Sequence, residues 1–286
     1  DLRPAGAGLS DSAEIWITGL APAGISFEAS RTDGDFFDGI EIRAGSGADR
    51  LHVDGTHQRD GGLTTTILHT GAGDDEVSVA LDAGEDGAFL LYAGEGDDTV
   101  DAAASTLPLV LIGGAGNDRL TGGGAEDLIF GDHAEVDIEN GADTNPRWRA
   151  LAGDTLYDAA GAVQVGAEQA VPGGSPYWEG FGIRVLEDAG GDDVISGGAG
   201  NDQIFGQAGD DTLSGDEGED YIEGNAGNDT LYGGMGQDDL VGGSSSLFGA
   251  AERADGSDLI YGGDGADVIV GDNGNIYRIV DAQFAY

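Results

Sequence analysis

The feature that most constrains this chain is a nine-residue pattern that returns along much of its length. Residues 197–205 read Gly-Gly-Ala-Gly-Asn-Asp-Gln-Ile-Phe, and closely similar units follow without interruption. We number the positions 1 to 9. Glycine is usual at positions 1, 2 and 4, aspartate stands at position 6, and a large aliphatic residue stands at position 8. Self-similarity at a short fixed period predicts a repeat architecture, in which each unit packs mainly against its neighbours.

The position-6 aspartates form a dense group and a widely spaced group. The dense group is Asp193, Asp202, Asp211, Asp220, Asp229, Asp238, Asp258 and Asp267, and the wide group is Asp49, Asp75, Asp98, Asp118 and Asp127. Within the dense group the interval is nine residues except between 238 and 258, where residues 244–254 form an inserted loop. Position 8 is aliphatic in every copy, as at Ile195, Ile204 and Leu213. This regularity indicates an inward-facing column of apolar side chains.

The repeat predicts an all-β solenoid. Only positions 7 to 9 look extended, so we expect strands of three residues. Two repeats then give one coil of a flattened solenoid, with successive coils about 4.8 Å apart and the aliphatic side chains inside. Glycine is expected in the turns because positive φ and close backbone approach exclude a β-carbon. In the wide group, one turn of each coil keeps the glycine–aspartate pattern and the opposite turn becomes a longer loop.

The chain divides into five segments. Residues 1–43 hold strand-like runs such as Glu14–Thr18 and Ile25–Glu28 and are expected to form a cap. Residues 44–132 carry the wide coils, 133–187 form a non-repeat insertion, and 188–275 carry the nonapeptide coils. Residues 276–286 are expected to end the roll with a strand or cap, within a strand-like run at 275–280.

Composition excludes several classes of function. The chain has 55 acidic and 11 basic residues, a net charge of −44 and no cysteine. The electrostatic field of this negative charge repels DNA and RNA and opposes compaction of the chain. No apolar run is long enough to span a membrane as a helix. High charge with many glycines also fits plain disorder. Because the apolar residues are in phase with the glycines, we expect disorder without a ligand and a folded chain with one.

The repeats resemble the calcium-binding nonapeptide repeats of RTX proteins. The resemblance implies a right-handed parallel β-roll, in which each Ca²⁺ lies between turns one coil apart and takes carboxylate and carbonyl oxygens. It implies about nine ions. The implied aspartate pairs are 193–211, 211–229, 229–258, 202–220, 220–238, 238–267, 49–75, 75–98 and 98–118, with Asp127 as a further ligand. The implied turn glycines are Gly198, Gly200, Gly206, Gly209, Gly215, Gly218, Gly224, Gly227, Gly233, Gly236, Gly263 and Gly265.

Some turns depart from the pattern. Ala125 replaces the position-4 glycine of the Asp127 turn, and Ala189 replaces a glycine before Asp193, so weaker binding or distortion is expected there. The turns that open at Gly131 and Gly271 lack an aspartate at position 6 and are expected to cap or redirect the roll.

These features predict a non-enzymatic, calcium-binding structural segment of a large secreted or cell-surface RTX protein of adhesin or matrix type. The segment would fold on calcium after export, and the resemblance implies type I secretion. One alternative is a subunit of an extracellular filament or surface layer, whose exposed edges pair end to end with neighbouring copies. Another is the calcium-folding, export-assisting domain of a secreted hydrolase or toxin. The insertion 133–187, with Trp148 and Trp178, is expected to cover the roll, or alternatively to dock a glycan or protein.

Overall fold

The computed structural model describes residues 40–56, 65–83, 85–137, 182–185, 190–245 and 255–276, together with short strands at 3–4, 15–16 and 24–26. Every regular element in these residues is a β-strand. A search of the same residues for a helix long and apolar enough to cross a membrane finds none. The expected strand at 275–280 lies mostly outside the described residues.

The strands up to the insertion are short at the N-terminus and longer in the wide coils. They are β1 Arg3–Pro4, β2 Ile15–Trp16, β3 Gly24–Ser26, β4 Ile40–Ser46, β5 Arg50–Val53, β6 Thr65–Ala72, β7 Glu76–Val79, β8 Ala88–Glu95, β9 Thr99–Asp101, β10 Leu109–Ala115, β11 Arg119–Thr121 and β12 Leu128–Phe130. Two strands, β13 Ala134–Asp137 and β14 Gly182–Val185, pair antiparallel within the segment that leaves the repeats.

The nonapeptide coils supply the remaining strands. They are β15 Val194–Ala199, β16 Gln203–Ala208, β17 Thr212–Glu217, β18 Tyr221–Ala226, β19 Thr230–Gly236, β20 Asp239–Val241, β21 Leu259–Gly265 and β22 Val268–Val270.

Successive repeat strands alternate between two large sheets. The ten-stranded sheet has the order β22-β20-β18-β16-β12-β10-β8-β6-β4-β3, and the eight-stranded sheet has the order β21-β19-β17-β15-β11-β9-β7-β5. Neighbours in both sheets are parallel, except that β3 pairs antiparallel with β4. This arrangement confirms the all-β parallel β-roll expected from the repeat.

Equivalent repeat positions stack directly upon one another. Ile195 pairs with Leu213, Leu213 with Leu231, and Leu231 with Ile260. The position-8 side chains therefore form a continuous column between the two sheets, and most are fully buried. The column ends at Ile269, which is 48% exposed because no described strand follows β22.

The prediction of three-residue strands is wrong for most nonapeptide coils. Strands β15 to β18 have six residues each, and β19 and β21 have seven. The reason is that pairing continues into the turns, as between Gly198 and Asp216 and between Ala199 and Glu217. Because each turn stacks on a nearly identical turn, its backbone groups find partners from coil to coil.

The roll continues across the insertion. Strand β11 pairs with β15, joining Leu120 to Ile195, and β12 pairs with β16, joining Ile129 to Ile204. The wide coils and the nonapeptide coils therefore share both sheets and one column of buried aliphatic side chains.

A second apolar cluster lies on the other face of the ten-stranded sheet. Leu128 and Phe130 flank the inward-facing Ile129, so they point away from the inner column. With Phe205, Tyr221 and others they form a buried cluster that also includes Ala134 and Ile276. The repeat pattern gave no signal for this cluster, because positions 7 and 9 vary freely from copy to copy.

Candidate calcium-binding turns

The position-6 aspartates link successive coils through their own backbone and side chains. The N–H of Asp193 donates to Oδ1 of Asp211 at 2.8 Å, and the N–H of Asp211 donates to Oδ1 of Asp229 at 2.9 Å. Each aspartate thus donates its N–H to the next coil and accepts at Oδ1 from the preceding coil. A ladder of carboxylates is fixed along each edge of the roll.

The structure brings together every aspartate pair expected from the sequence. Hydrogen bonds of 2.7–3.2 Å from backbone N–H to Oδ1 join 193–211, 211–229, 229–258, 202–220, 220–238, 238–267, 49–75, 75–98 and 98–118. Two further pairs, 118–193 and 127–202, are joined at 2.7 Å. These two were not expected, because the insertion separates their members in the sequence.

The second carboxylate oxygen of many of these aspartates is buried without a hydrogen bond. Within the described residues this holds for Oδ2 of Asp75, Asp98, Asp118, Asp193, Asp211, Asp229 and Asp258. A buried, unbonded carboxylate oxygen is costly, because it has left water without gaining a donor or a cation.

Burial and mutual repulsion raise the pKa of these carboxyls. Burial is the larger cause at Asp193, whose pKa rises to about 9, and at Asp211, whose pKa rises to about 8. The neighbouring carboxylates raise both values further, while the backbone N–H donors lower them. Burial likewise raises the pKa of Asp118 and of Asp229 to about 7. A raised pKa of this kind means that the ionised carboxylate is less stable here than in water.

At nine position-1 glycines of the described residues, a carboxylate oxygen and a carbonyl oxygen of the next coil both press against the glycine, and we call this pair of oxygens a cradle. A β-carbon placed on Gly206 would stand 2.4 Å from Oδ2 of Asp211 and 2.8 Å from the carbonyl oxygen of Gly224 in the next coil. A β-carbon on Gly224 would stand 2.4 Å from Oδ2 of Asp229 and 2.3 Å from the carbonyl oxygen of Gly242. The same combination of carboxylate and next-coil carbonyl occurs at Gly113, Gly122, Gly131, Gly197, Gly215, Gly233 and Gly242.

The cradle supplies the kinds of oxygen that calcium binds. Ca²⁺ accepts carboxylate and carbonyl oxygens in flexible geometry. Within the described residues, no three acidic or histidine side chains converge closely enough to hold a metal by themselves. Backbone carbonyls must therefore complete any such site, and the cradles supply them.

The glycines expected from the sequence have two different roles. Gly206, Gly215, Gly224 and Gly233 stand at position 1 and line cradles. Gly200, Gly209, Gly218, Gly227, Gly236 and Gly265 stand at position 4 with positive φ, where a β-carbon would collide with the preceding coil; Gly198 and Gly263 stand at position 2, also with positive φ. The predicted site residues did not include the position-1 glycines 113, 122, 131, 197 and 242, although the repeat itself begins at Gly197 and Gly242 was expected to open the Asp258 turn.

Two of these glycines stand further from their aspartate than the usual five residues. Gly242 shares its cradle with Asp258, as the inserted loop at 244–254 predicted, and Gly131 shares its cradle with Asp193. A β-carbon placed on Gly131 would stand 2.2 Å from Oδ2 of Asp193 and 2.5 Å from the carbonyl oxygen of Gly206, so Gly131 opens the turn that Asp193 closes. Ala189, where distortion was expected, lies outside the described residues.

A buried carboxylate outside the repeat ladder was also missed. Glu223 is fully buried on the face of the second apolar cluster. Its oxygens accept hydrogen bonds from the Tyr221 hydroxyl, the Asn225 amide at 2.8 Å, and both the N–H and the hydroxyl of Ser245. These donors hold Ser245 against strand β18. Burial raises the pKa of Glu223, and the four donors oppose that rise.

Stacked coils, paired carboxylates and glycine cradles define a parallel β-roll with cation-binding turns. The family model described as the RTX calcium-binding nonapeptide repeat (4 copies) matches residues 83–105, 110–132, 187–222, 214–246 and 254–275. The chain therefore carries RTX calcium-binding repeats and forms a β-roll segment of that type. A search of curated proteins found no matching sequence.

Proposed function

We propose that this chain is a non-enzymatic structural segment of a large secreted or cell-surface RTX protein, and that it folds when it binds calcium outside the cell. The observation that carries the proposal is the ladder of buried carboxylates facing glycine cradles, as at Asp211 beside Gly206. Without a cation, these groups repel one another in a buried environment. With calcium, the binding free energy becomes folding free energy.

We infer the calcium ligands from the residues of each cradle. Each ion would take the Oδ2 of one aspartate and the carbonyl oxygen of the glycine one coil further on, and it would neutralise the carboxylates at that edge. Extracellular calcium modules bind with dissociation constants of about 10⁻⁴–10⁻³ M. Coils that depend on sites of this affinity would stay unfolded at low calcium and fold after export.

A calcium titration tests the proposal. Calcium-depleted protein would be followed by circular dichroism and by sedimentation velocity while calcium is added. We expect a cooperative gain of β-structure near millimolar calcium, with magnesium as the control cation. An unchanged spectrum across the titration would refute calcium-coupled folding.

The second candidate function is a subunit of a calcium-dependent filament or surface layer. The observation that favours it is the last described coil, where Leu259, Tyr261 and Ile269 are about half exposed and β21 and β22 lack a further neighbour among the described strands. Open strand edges with apolar side chains favour pairing with another chain. Growing, ordered assemblies in the same sedimentation experiment would favour this candidate over the monomeric segment.

A further inference from the structure

The first three turns of the roll, those of Asp49, Asp75 and Asp98, differ from the later turns at position 1. Ala44 stands there in the Asp49 turn, Thr70 in the Asp75 turn and Ala93 in the Asp98 turn. All three side chains are buried. From Asp118 onward, every turn with a complete cradle opens instead with glycine.

A side chain at position 1 disturbs the cradle. A β-carbon on Gly206 would stand 2.4 Å from Oδ2 of Asp211 and 2.8 Å from the next-coil carbonyl oxygen, which is too close for either oxygen to stay in place. A residue other than glycine must therefore displace the two oxygens that would hold the ion. Ala44, Thr70 and Ala93 each carry such a β-carbon.

In the Asp75 turn the next-coil carbonyl oxygen already accepts a hydrogen bond. The Thr70 hydroxyl donates a hydrogen bond to the carbonyl oxygen of Ala93. That oxygen is the equivalent of the Gly224 carbonyl in the cradle of Gly206, because both belong to position 1 of the following coil. The Thr70 hydroxyl therefore takes the place of a cation as the partner of the Ala93 carbonyl oxygen. Oδ2 of Asp75 and Asp98 is unbonded, as in the other turns, so the difference lies at position 1.

A wide coil buries more apolar side chains in the inner column than a nonapeptide coil does. The coil made by β7 and β8 buries Val77, Val79, Leu81, Phe89 and Leu91 in the inner column. The coil made by β15 and β16 buries only Ile195 and Ile204 there. Because hydrophobic stabilisation scales with the apolar area removed from water, a wide coil depends less on any other source of stability.

We propose that the turns of Asp49, Asp75 and Asp98 hold no calcium, and that the coils from β4 to β10 fold without it. These coils present a preformed edge at β9 and β10, on which the calcium-dependent coils from β11 onward assemble. The inference rests on the proposed function, since it divides the roll into a calcium-independent part and a calcium-dependent part. The family match agrees with this division in part, because it begins at residue 83 and omits the Asp49 and Asp75 turns.

Hydrogen–deuterium exchange of the full chain, read by mass spectrometry with and without calcium, tests the division. In calcium-depleted protein we expect slow amide exchange in peptides from 65–112 and exchange at the unfolded rate in peptides from 194–241. Added calcium should then protect the second region by at least tenfold. Exchange of 65–112 at the unfolded rate without calcium would overturn the inference while leaving the proposed function intact. A chain that shows no calcium response in any region would overturn both.

Matched variants provide the second measurement. Asp75→Asn and Asp211→Asn each keep an acceptor for the N–H of the preceding coil and remove one carboxylate charge. We expect Asp75→Asn to bind as many calcium ions as the wild type and Asp211→Asn to bind fewer, counted by equilibrium dialysis with elemental analysis. Loss of bound calcium in Asp75→Asn would contradict the inference.

Discussion

The backbone N–H of Asp118 donates a 2.7 Å hydrogen bond to Oδ1 of Asp193, a residue 75 positions further along the chain. The bond is equivalent to the one between Asp193 and Asp211, which are only 18 positions apart. The insertion therefore lies within a single turn of the repeat. The coils before and after it pair as neighbouring coils do elsewhere in the roll.

Joining Asp132 directly to Gly190 should leave the roll folded. Asp132 follows the opening glycine and lies against Gly190, so deletion of 133–189 would place the two residues at consecutive positions of a normal turn. We expect calcium-induced β-structure to survive the deletion, measured by circular dichroism. Loss of folding would mean that the insertion is required for the roll, and wild-type protein prepared in parallel is the control.

Gly206→Ala should remove one calcium site. The added methyl group would stand 2.4 Å from Oδ2 of Asp211 and would displace this proposed ligand of the ion. We expect one ion fewer by dialysis and a higher calcium midpoint of folding. The matched control is Gly124→Ala, whose β-carbon would meet its nearest neighbour, the carbonyl oxygen of Ser105, at an ordinary 3.5 Å. Equal effects of the two substitutions would contradict the assignment of the cradle.

Asp211→Asn should change stability in opposite directions with and without calcium. With calcium, loss of a ligand weakens binding, and the free energy of unfolding falls. In calcium-depleted protein the same change removes a buried carboxyl that has no cation, so the folded coil becomes less unfavourable and the amount of β-structure rises. A denaturant titration in calcium and circular dichroism without calcium would measure the two effects. A decrease under both conditions would indicate that Asp211 acts only through its hydrogen bond to Asp193.

Acid should favour the calcium-depleted roll. The folded-state pKa values of about 9 for Asp193 and about 8 for Asp211 exceed the ordinary value of 3.8. The folded state therefore binds more protons than the unfolded state between about pH 4 and 9, and its stability falls as pH rises through that window. Circular dichroism of calcium-depleted protein should show more β-structure at pH 5 than at pH 8. Calcium affinity should follow the opposite trend, because the ion binds ionised carboxylates.

Glu223→Leu should destabilise the roll in calcium. The substitution removes both oxygens that accept from the Asn225 amide and the Ser245 N–H, and the site is fully buried. Leaving buried donors unsatisfied costs about 1–3 kcal/mol, which a denaturant titration can resolve. Glu217→Leu, on an exposed side chain, should stay within about 0.5 kcal/mol of the wild type. Similar values for both variants would show that the Glu223 network is not stabilising.

Residues within an unbroken run of repeats were predictable because their partners lie at a fixed offset. The hydrogen-bond partner lies 18 residues downstream of Asp193, Asp202 and Asp211. The nine-residue period of the sequence predicts this offset. The inward column was predictable for the same reason, since position 8 is aliphatic in each copy. The length of the strands was not predictable, because pairing of the turn residues depends on how closely successive turns stack.

The coil, its inward face and the ladder of carboxylates can all be read from the sequence, because each depends on a local pattern that repeats. That Gly131 opens the turn closed by Asp193, and that Glu223 contacts Ser245, became visible in the folded chain alone. The folded chain also showed that the Thr70 hydroxyl takes the carbonyl of the next coil. These contacts join residues through the stacking of coils, and stacking fixes which distant segments are neighbours where the period of the sequence is interrupted.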